Sequence, residues 1–329
     1  MRLKELTLDK TSVLRYDIAS MNNARALTYN DIYLIPNKCV TESRSNASTV
    51  TQIGSNKFKL PIVPANMVST INYNWSRYLD TNNYFYIMHR FNNGTVQFVQ
   101  NATRDNFNII SISTGVTDES LYELEQLKSY KIDYVTIDVA HGHSNAVARR
   151  IDYIKKNFKN VYVIAGNVAS GEASKFLCDS GADCVKVGIG SGVICTTKLQ
   201  TGFHIPMFTC IQDCASCDCD IMADGGIQYP GDVAKALTAG ADFVMAGGLF
   251  ACCSDSPATA VDGKKVYFGS TSMQAKQKSN HIEGRTVLID SDVCLEDKLF
   301  QLTQALQSSI SYAGGIDLKG FRSVNYKTT

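Results

Sequence analysis

The stretch Val185-Lys186-Val187-Gly188-Ile189-Gly190-Ser191-Gly192-Val193-Ile194-Cys195-Thr196-Thr197 carries the clearest chemistry in this chain. It begins as a buried strand and passes into a loop with glycine at 188, 190 and 192. Such density lets backbone bend tightly and approach a ligand without Cβ interference. The loop ends on a cysteine and two threonine hydroxyls, a setting that can present a thiolate as a nucleophile. Cysteine is among the most buried residue types. Packing is therefore the expectation for the other ten cysteines, and the loop context reverses it for Cys195.

Four more groups could act on a ligand. Asp224-Gly225-Gly226 and Gly247-Gly248 follow the last two apolar runs, where barrel loops often hold phosphate on backbone N–H groups; a carboxylate beside them could accept from both ribose hydroxyls. Asp138-Val139-Ala140-His141-Gly142-His143 sets two histidines around a glycine, but no third ligand has metal spacing. Arg90 could pair with a phosphate or form a surface ion pair. Val261 to Gly284 is polar and lysine-rich, either a mobile lid or an idle insertion. Cys214-x-x-Cys217 has no second such pair and reads as incidental thiols, as does Cys252-Cys253.

The elements that must position these groups are short apolar runs alternating with amphipathic segments: Ile62–Ala65, Tyr84–Met88, Ile109–Ile112, Tyr134–Ile137, Val161–Ala165, Asp183–Val187, Asp220–Ala223 and Phe243–Ala246. Short, fully apolar runs read as buried parallel strands. Ser144 to Phe158 is the clearest helix, with Val147, Ile151 and Ile154 on one face and Arg149, Arg150, Lys155 and Lys156 towards solvent. Eight alternations predict an α/β fold, a (β/α)8 TIM barrel, with a doubly wound sheet as the alternative. Residues 1–27 are expected to be an N-terminal extension, 28–329 a single barrel domain, and about 262–286 an active-site flap. The polar and glycine groups fall where the apolar runs stop, at the strand ends that carry barrel chemistry.

The 329 residues are 44% hydrophobic and 19% charged, an ordinary globular composition, and the formal net charge is +1. That balance gives no reason to expect nucleic acid or an anionic membrane as partner. No apolar run is long enough to span a bilayer and the N-terminus lacks a signal-like core. The expectation is a soluble, cytoplasmic protein. Eleven cysteines, an odd count, fit free thiols in a reducing compartment better than a disulfide framework.

The Cys195 loop resembles the signature loop of the IMP dehydrogenase/GMP reductase family, usually G-I-G-P-G-S-x-C-T-T, with Ser191 in place of proline and Val193 in place of serine. The likeness extends over roughly residues 27 to 325 and is closest to bacterial-type enzymes, through P-N-K-C, M-H-R-F and D-x-A-H-G-H segments. It implies a covalent Cys195, with Thr197 and Glu283 handling the proton of the leaving amine. It implies ribose and phosphate contacts at Asp224, Gly225, Gly226, Gly247 and Gly248, and purine contacts from the flap at Gly269, Ser270, Thr271, Glu283 and Gly284. It implies a nicotinamide cofactor, NADPH, near Arg90, Asp138, Val139, Ala140, Ile189 and Gly190. Ser43, Arg44, Ser308, Ser309 and Ser311 match positions that reach a neighbouring subunit's cofactor in homotetrameric relatives. Carbonyls near Gly190 and Gly192 match a monovalent cation site such as K⁺.

Within the family, two absences favour the reductase branch. No Arg-Tyr pair stands between Met273 and Ile282 to activate water, and Met88-His89-Arg90-Phe91 runs on to Ile109 with no room for a pair of regulatory CBS modules. The implied reaction is GMP plus NADPH giving IMP, ammonia and NADP, a step of purine salvage. The alternatives are an IMP dehydrogenase lacking those modules and a nucleotide-binding pseudoenzyme. The chain departs from the family pattern at Val68, Ser191, Asn280, Cys252 and Cys253.

Overall fold

A computed structural model describes residues 25–91, 94–270, 272 and 283–329. Strands β1 (Ile32–Leu34), β2 (Thr51–Ile53) and β3 (Asn56–Phe58) precede β4 (Ile62–Pro64). Then follow β5 (Ser111–Thr114), β6 (Tyr134–Asp138), β7 (Tyr162–Val168), β8 (Cys184–Val187), β9 (Asp220–Asp224) and β10 (Phe243–Ala246). These last six and β4 form one parallel sheet, ordered β4-β10-β9-β8-β7-β6-β5. Sequence neighbours are spatial neighbours, and the first strand pairs with the last, Val63 opposite Met245. A doubly wound sheet reverses direction from its middle and leaves its first strand inside; this order is that of a curled, TIM-barrel-type sheet.

The expected second strand, Tyr84–Met88, contributes only a parallel bridge, Met88 to Ile112. It still fills the gap between β4 and β5: Met88 N–H donates to Ser111 O at 3.1 Å, and Lys59 N–H to Asn83 O at 3.0 Å. Aromatic bulk replaces regular pairing there. Phe85, Tyr86 and Tyr134 are fully buried, and Phe85 packs edge-on against Tyr134 at 4.9 Å.

The helices are α1 (Tyr73–Thr81), α2 (Thr95–Arg104), α3 (Asp118–Gln126), α4 (Asn145–Asn157), α5 (Gly171–Asp179), α6 (Thr197–Thr201), α7 (Met207–Cys214), α8 (Pro230–Ala239), α9 (Gly248–Ala251) and α10 (Leu295–Tyr312). Several begin where a side-chain oxygen takes an orphan backbone N–H: Asn72 caps α1, Thr117 α3, Ser144 α4 and Ser170 α5. Helix α4 buries Val147, Ile151 and Ile154 as expected. Arg150 is also buried, contrary to the sequence reading. Its guanidinium donates to Gly115 O at 2.8 Å, Ser120 Oγ at 3.1 Å and Thr117 O at 3.1 Å, tying α4 to the loop after β5.

Strand β1 pairs antiparallel with β14 (Tyr326–Thr328), and Leu27 exchanges hydrogen bonds with Thr209 of α7. A separate antiparallel sheet, β11 (Ala260–Val261), β12 (Lys264–Phe268) and β13 (Thr286–Asp290), pairs Phe268 with Thr286. Residues 271 and 273–282 of the expected flap, Thr271 and Asn280 among them, and most of the expected N-terminal extension lie outside the described residues. Among the described residues no helix is long and apolar enough to cross a membrane.

Candidate active site

The loop after β8 is built on glycine for steric reasons. Gly188 has φ +133°, and a Cβ there would lie 2.1 Å from the Asp224 carbonyl oxygen. Gly225, at φ +105°, lies so close to Ser191 and Gly192 that a Cβ would sit 3.1 Å from the Ser191 side chain. The loops after β8 and β9 therefore touch backbone to backbone, which only glycine at these points permits.

At the end of this loop Cys195 Sγ donates to Thr197 Oγ1 at 3.2 Å, and Thr197 Oγ1 donates to Glu283 Oε2 at 2.6 Å. Backbone pairing fixes the arrangement. Cys195 and Gly284 form an antiparallel bridge, Thr196 N–H donates to Glu283 O at 2.7 Å, and Arg285 N–H donates to Ile194 O at 2.9 Å. The Arg285 guanidinium adds bonds of 2.9 and 3.2 Å to Val193 O. Three residues expected to work together, with Thr197 and Glu283 86 positions apart, thus stand in one donor chain running thiol to hydroxyl to carboxylate.

A cavity of about 440 Å³ opens beside the thiol at the C-terminal ends of the strands. Gly190, Ser191, Gly192, Cys195 and Thr197 line one side, Asp224–Gly226 and Gly247–Gly248 another, and Gly269, Ser270 and Gly284 come from the hairpin. Arg90, Asp138, Val139, Ala140 and Ile189 line the same space. Glu283 stands behind Thr197 and off the cavity wall. Ser43, Arg44, Ser308, Ser309 and Ser311 are not brought to this cavity. Arg44 lies over the Tyr312 ring at 5.6 Å, and with Ser311 it lines a separate hollow of about 280 Å³. Ser43 pairs with Ser45, and Ser309 Oγ bonds Ala305 O within α10.

Several contributors escaped the sequence reading. Lys186, inside β8, is fully buried and donates to Asp138 Oδ1 at 2.7 Å and Asp224 Oδ2 at 2.9 Å. Burial works against its ammonium, yet Asp138 and Asp224 outweigh burial and hold its pKa above the usual lysine value. Burial likewise pushes Asp138 up, but Lys186 and Arg90 hold its carboxyl below the ordinary range. Asn167 Nδ2 donates to Asp224 Oδ2 and Gly188 O, both at 2.8 Å. His204 Nδ1 lies 2.8 Å from Ile189 O. The Tyr267 ring covers Gly247, its hydroxyl occupying the position a Cβ would take; burial, then Asp224, raises its pKa. The hint for Lys186 was a lysine in an otherwise apolar run, and the hint for Asn167 was its place at the end of one.

Cys252, set aside as incidental, lines the cavity too. Its thiol is pulled down to about 7 by a hydrogen bond with Cys253 and by the Lys298 charge. Elsewhere, Cys178 and Cys219 are joined in a disulfide and the other nine cysteines are free. The expectation of free thiols throughout fails at that one pair.

Backbone of the two glycine loops and the Asp224 carboxyl, which Lys186 and Asn167 orient, face the same cavity. The Arg90 guanidinium is 4.0 Å from Asp138, and its buried Nε has no hydrogen-bond partner among the described residues. For a monovalent cation the fit rests on backbone carbonyls. Gly192 O already accepts from Cys195 N–H at 2.9 Å, and a carbonyl keeps a second lone pair for a ligand.

The family model described as "IMP dehydrogenase / GMP reductase domain" matches residues 26–328. GMP reductases of Bacillus cereus and Lysinibacillus sphaericus are 45% identical over 308 residues, covering 91% of this chain and 94% of theirs. That of Staphylococcus epidermidis is 44% identical over the same span.

Proposed function

The chain belongs to the IMP dehydrogenase/GMP reductase family, and from that premise we propose that it catalyses the NADPH-dependent reductive deamination of GMP to IMP, with release of ammonia. The observation that carries the reading is the donor chain Cys195–Thr197–Glu283 at the mouth of a cavity floored by the two glycine loops.

In this reading the thiol proton passes through the Thr197 hydroxyl to the Glu283 carboxylate as Cys195 Sγ bonds to the purine carbon bearing the amino group. Expelling an amide anion is prohibitive, so the amine must be protonated as the C–N bond breaks. The same relay returns a proton, and ammonia leaves a thioimidate on Cys195. General acid help of this kind contributes ~10²–10⁴-fold. NADPH supplies the hydride that reduces this carbon; the thiolate then departs and IMP is released. The covalent step divides one difficult substitution into two easier ones. Asp224 and the glycine loops hold ribose and phosphate, Gly269, Ser270, Thr271 and Gly284 hold the base, and Arg90 with Asp138–Ala140, Ile189 and Gly190 holds the cofactor. Ser43, Arg44, Ser308, Ser309 and Ser311 complete a neighbour's cofactor site in a homotetramer, and the carbonyls near Gly190 and Gly192 would hold a monovalent cation such as K⁺. The enzyme serves purine nucleotide salvage in the cytoplasm.

The test follows the near-ultraviolet band of the reduced nicotinamide in two mixtures. Loss with NADPH and GMP, with ammonia released, is the expected result; gain with NAD and IMP would make the chain a dehydrogenase. Cys195→Ala should abolish turnover while GMP still binds, and turnover surviving in that variant would sink the covalent mechanism.

A further inference from the structure

A second cluster of sulfur lies on the outside of the sheet, away from the cavity. Cys178 sits in the last turn of α5, and Cys217 and Cys219 lie in the loop between α7 and β9. The three Sγ atoms are all within 4.8 Å of one another. Chain separation makes this a tertiary arrangement: Cys178 and Cys219 are 41 residues apart, with Cα atoms 5.9 Å apart. Cys214, the partner that sequence spacing suggested for Cys217, is instead fully buried in α7, its pKa raised by Cys210 and by burial.

We propose that in the reduced protein Cys178, Cys217 and Cys219 form a thiolate site for zinc, and that the Cys178–Cys219 disulfide is its oxidised, metal-free form. Zinc–sulfur bonds of ~2.3 Å place the sulfurs of a tetrahedral site about 3.8 Å apart, within the spread already present. The Cys217-x-Cys219 pair supplies two ligands from one loop, Cys178 supplies the third from a helix, and water takes the fourth position. The competing partners are weak: Cys217 Sγ meets Ser174 Oγ at 3.2 Å and Cys219 O at 4.0 Å, and Cys219 Sγ lies 3.0 Å from Ala182 O. Three thiolates and a dication leave one net negative charge, and one ammonium shares a field with the cluster. Lys175 bonds Asp179 at 2.9 Å and feels both Asp218 and Cys217. Zinc here would pin α5 to the loop that launches β9, the strand ending at Asp224.

The chemistry balances with an external dithiol as reductant. It gives two electrons and two protons to the disulfide and becomes a disulfide itself; zinc then displaces the three thiol protons. An organic disulfide runs the cycle backwards, oxidising Cys178 and Cys219 and releasing the ion.

The experiment titrates Co²⁺ into full-length, chelator-treated, dithiol-reduced protein under anaerobic conditions. One cobalt per chain should bind with a sulfur-to-metal charge-transfer band and tetrahedral d–d bands, both displaced by zinc. The bands should vanish in Cys217→Ser/Cys219→Ser and persist in Cys252→Ser/Cys253→Ser and in Cys195→Ala. Zinc should raise the melting temperature of the reduced parent and not of the Cys217→Ser/Cys219→Ser protein, whose far-UV dichroism without metal reports whether it folds. Absence of sulfur–cobalt bands in the reduced parent, or bands that survive in a folded Cys217→Ser/Cys219→Ser protein, would overturn the proposal and leave a plain disulfide.

Discussion

Replacing Lys186 by methionine tests the electrostatic frame of the site most sharply. The ammonium is 2% exposed and bonded to two carboxylates at 2.7 and 2.9 Å. Methionine fills similar volume, so packing changes little while Asp138 and Asp224 lose their shared cation. Breaking a buried ion pair by removing one partner costs about 3–5 kcal/mol. An unfolding entropy of about 2.1 cal/mol/K per residue over 329 residues makes about 0.7 kcal/mol/K, so Tm should fall by about 4–7 °C at pH 7. The pH dependence has a definite sign. In the parent, Asp138 has a depressed pKa, so its contribution is present above the unfolded value of ~3.9 and is lost as pH falls through the folded value. Without Lys186, burial pushes Asp138 up instead. The folded variant then takes up a proton before the unfolded chain does, and the gap in Tm narrows on acidification. Asp138→Asn added to the variant should recover part of the loss. The assay is a set of thermal melts between mildly acidic and neutral pH. A variant melting with the parent at pH 7, or a gap that widens on acidification, would refute the reasoning.

Glu283→Gln keeps the hydrogen bond from Thr197 but cannot take a proton, so kcat should fall ~10²–10⁴-fold with little change in KM for GMP; an unchanged kcat would remove Glu283 from the relay. Gly188→Ala places a Cβ on the Asp224 carbonyl and forces a left-handed φ on alanine, a strain of about 1–3 kcal/mol before the clash is counted. It should lower Tm and raise KM, and parental values for both would contradict the close approach. His89 is pushed down to about 4 by burial, so the stability it confers is complete above the unfolded value of ~6.5 and drains away as pH falls towards 4. The shift is worth about 3 kcal/mol, and His89→Gln should flatten the Tm profile over that interval.

What the sequence revealed and what it hid divide along a physical line. Cys195, Asp224 and Gly247 were legible because glycine and polar residues at the end of an apolar run mark a strand's C-terminal loop. The barrel was legible because each strand repeats that pattern. Lys186 and Arg150 were hidden because a charge becomes buried only through partners remote in sequence: 38 and 48 residues away for the lysine, 30 to 35 for the arginine's bonds to Ser120, Thr117 and Gly115. Tyr84–Met88 reads as a strand yet pairs at one bridge, since aromatic packing holds it without a full ladder. The Cys178–Cys219 contact had no local signature at all.

The bridge between Cys195 and Gly284 means that the thiol and the Glu283 carboxylate, the proposed nucleophile and proton acceptor, share a register. Side chains alternate faces along extended backbone, so a slip of one residue turns every side chain over. One residue inserted between Glu283 and Gly284 would swing the carboxylate to the far side of the ladder, with every atom of the reaction still encoded in the chain. Mutational scans that count only substitutions would miss this constraint; a scan of single-residue insertions and deletions would find it as a narrow intolerant window on both arms of the bridge.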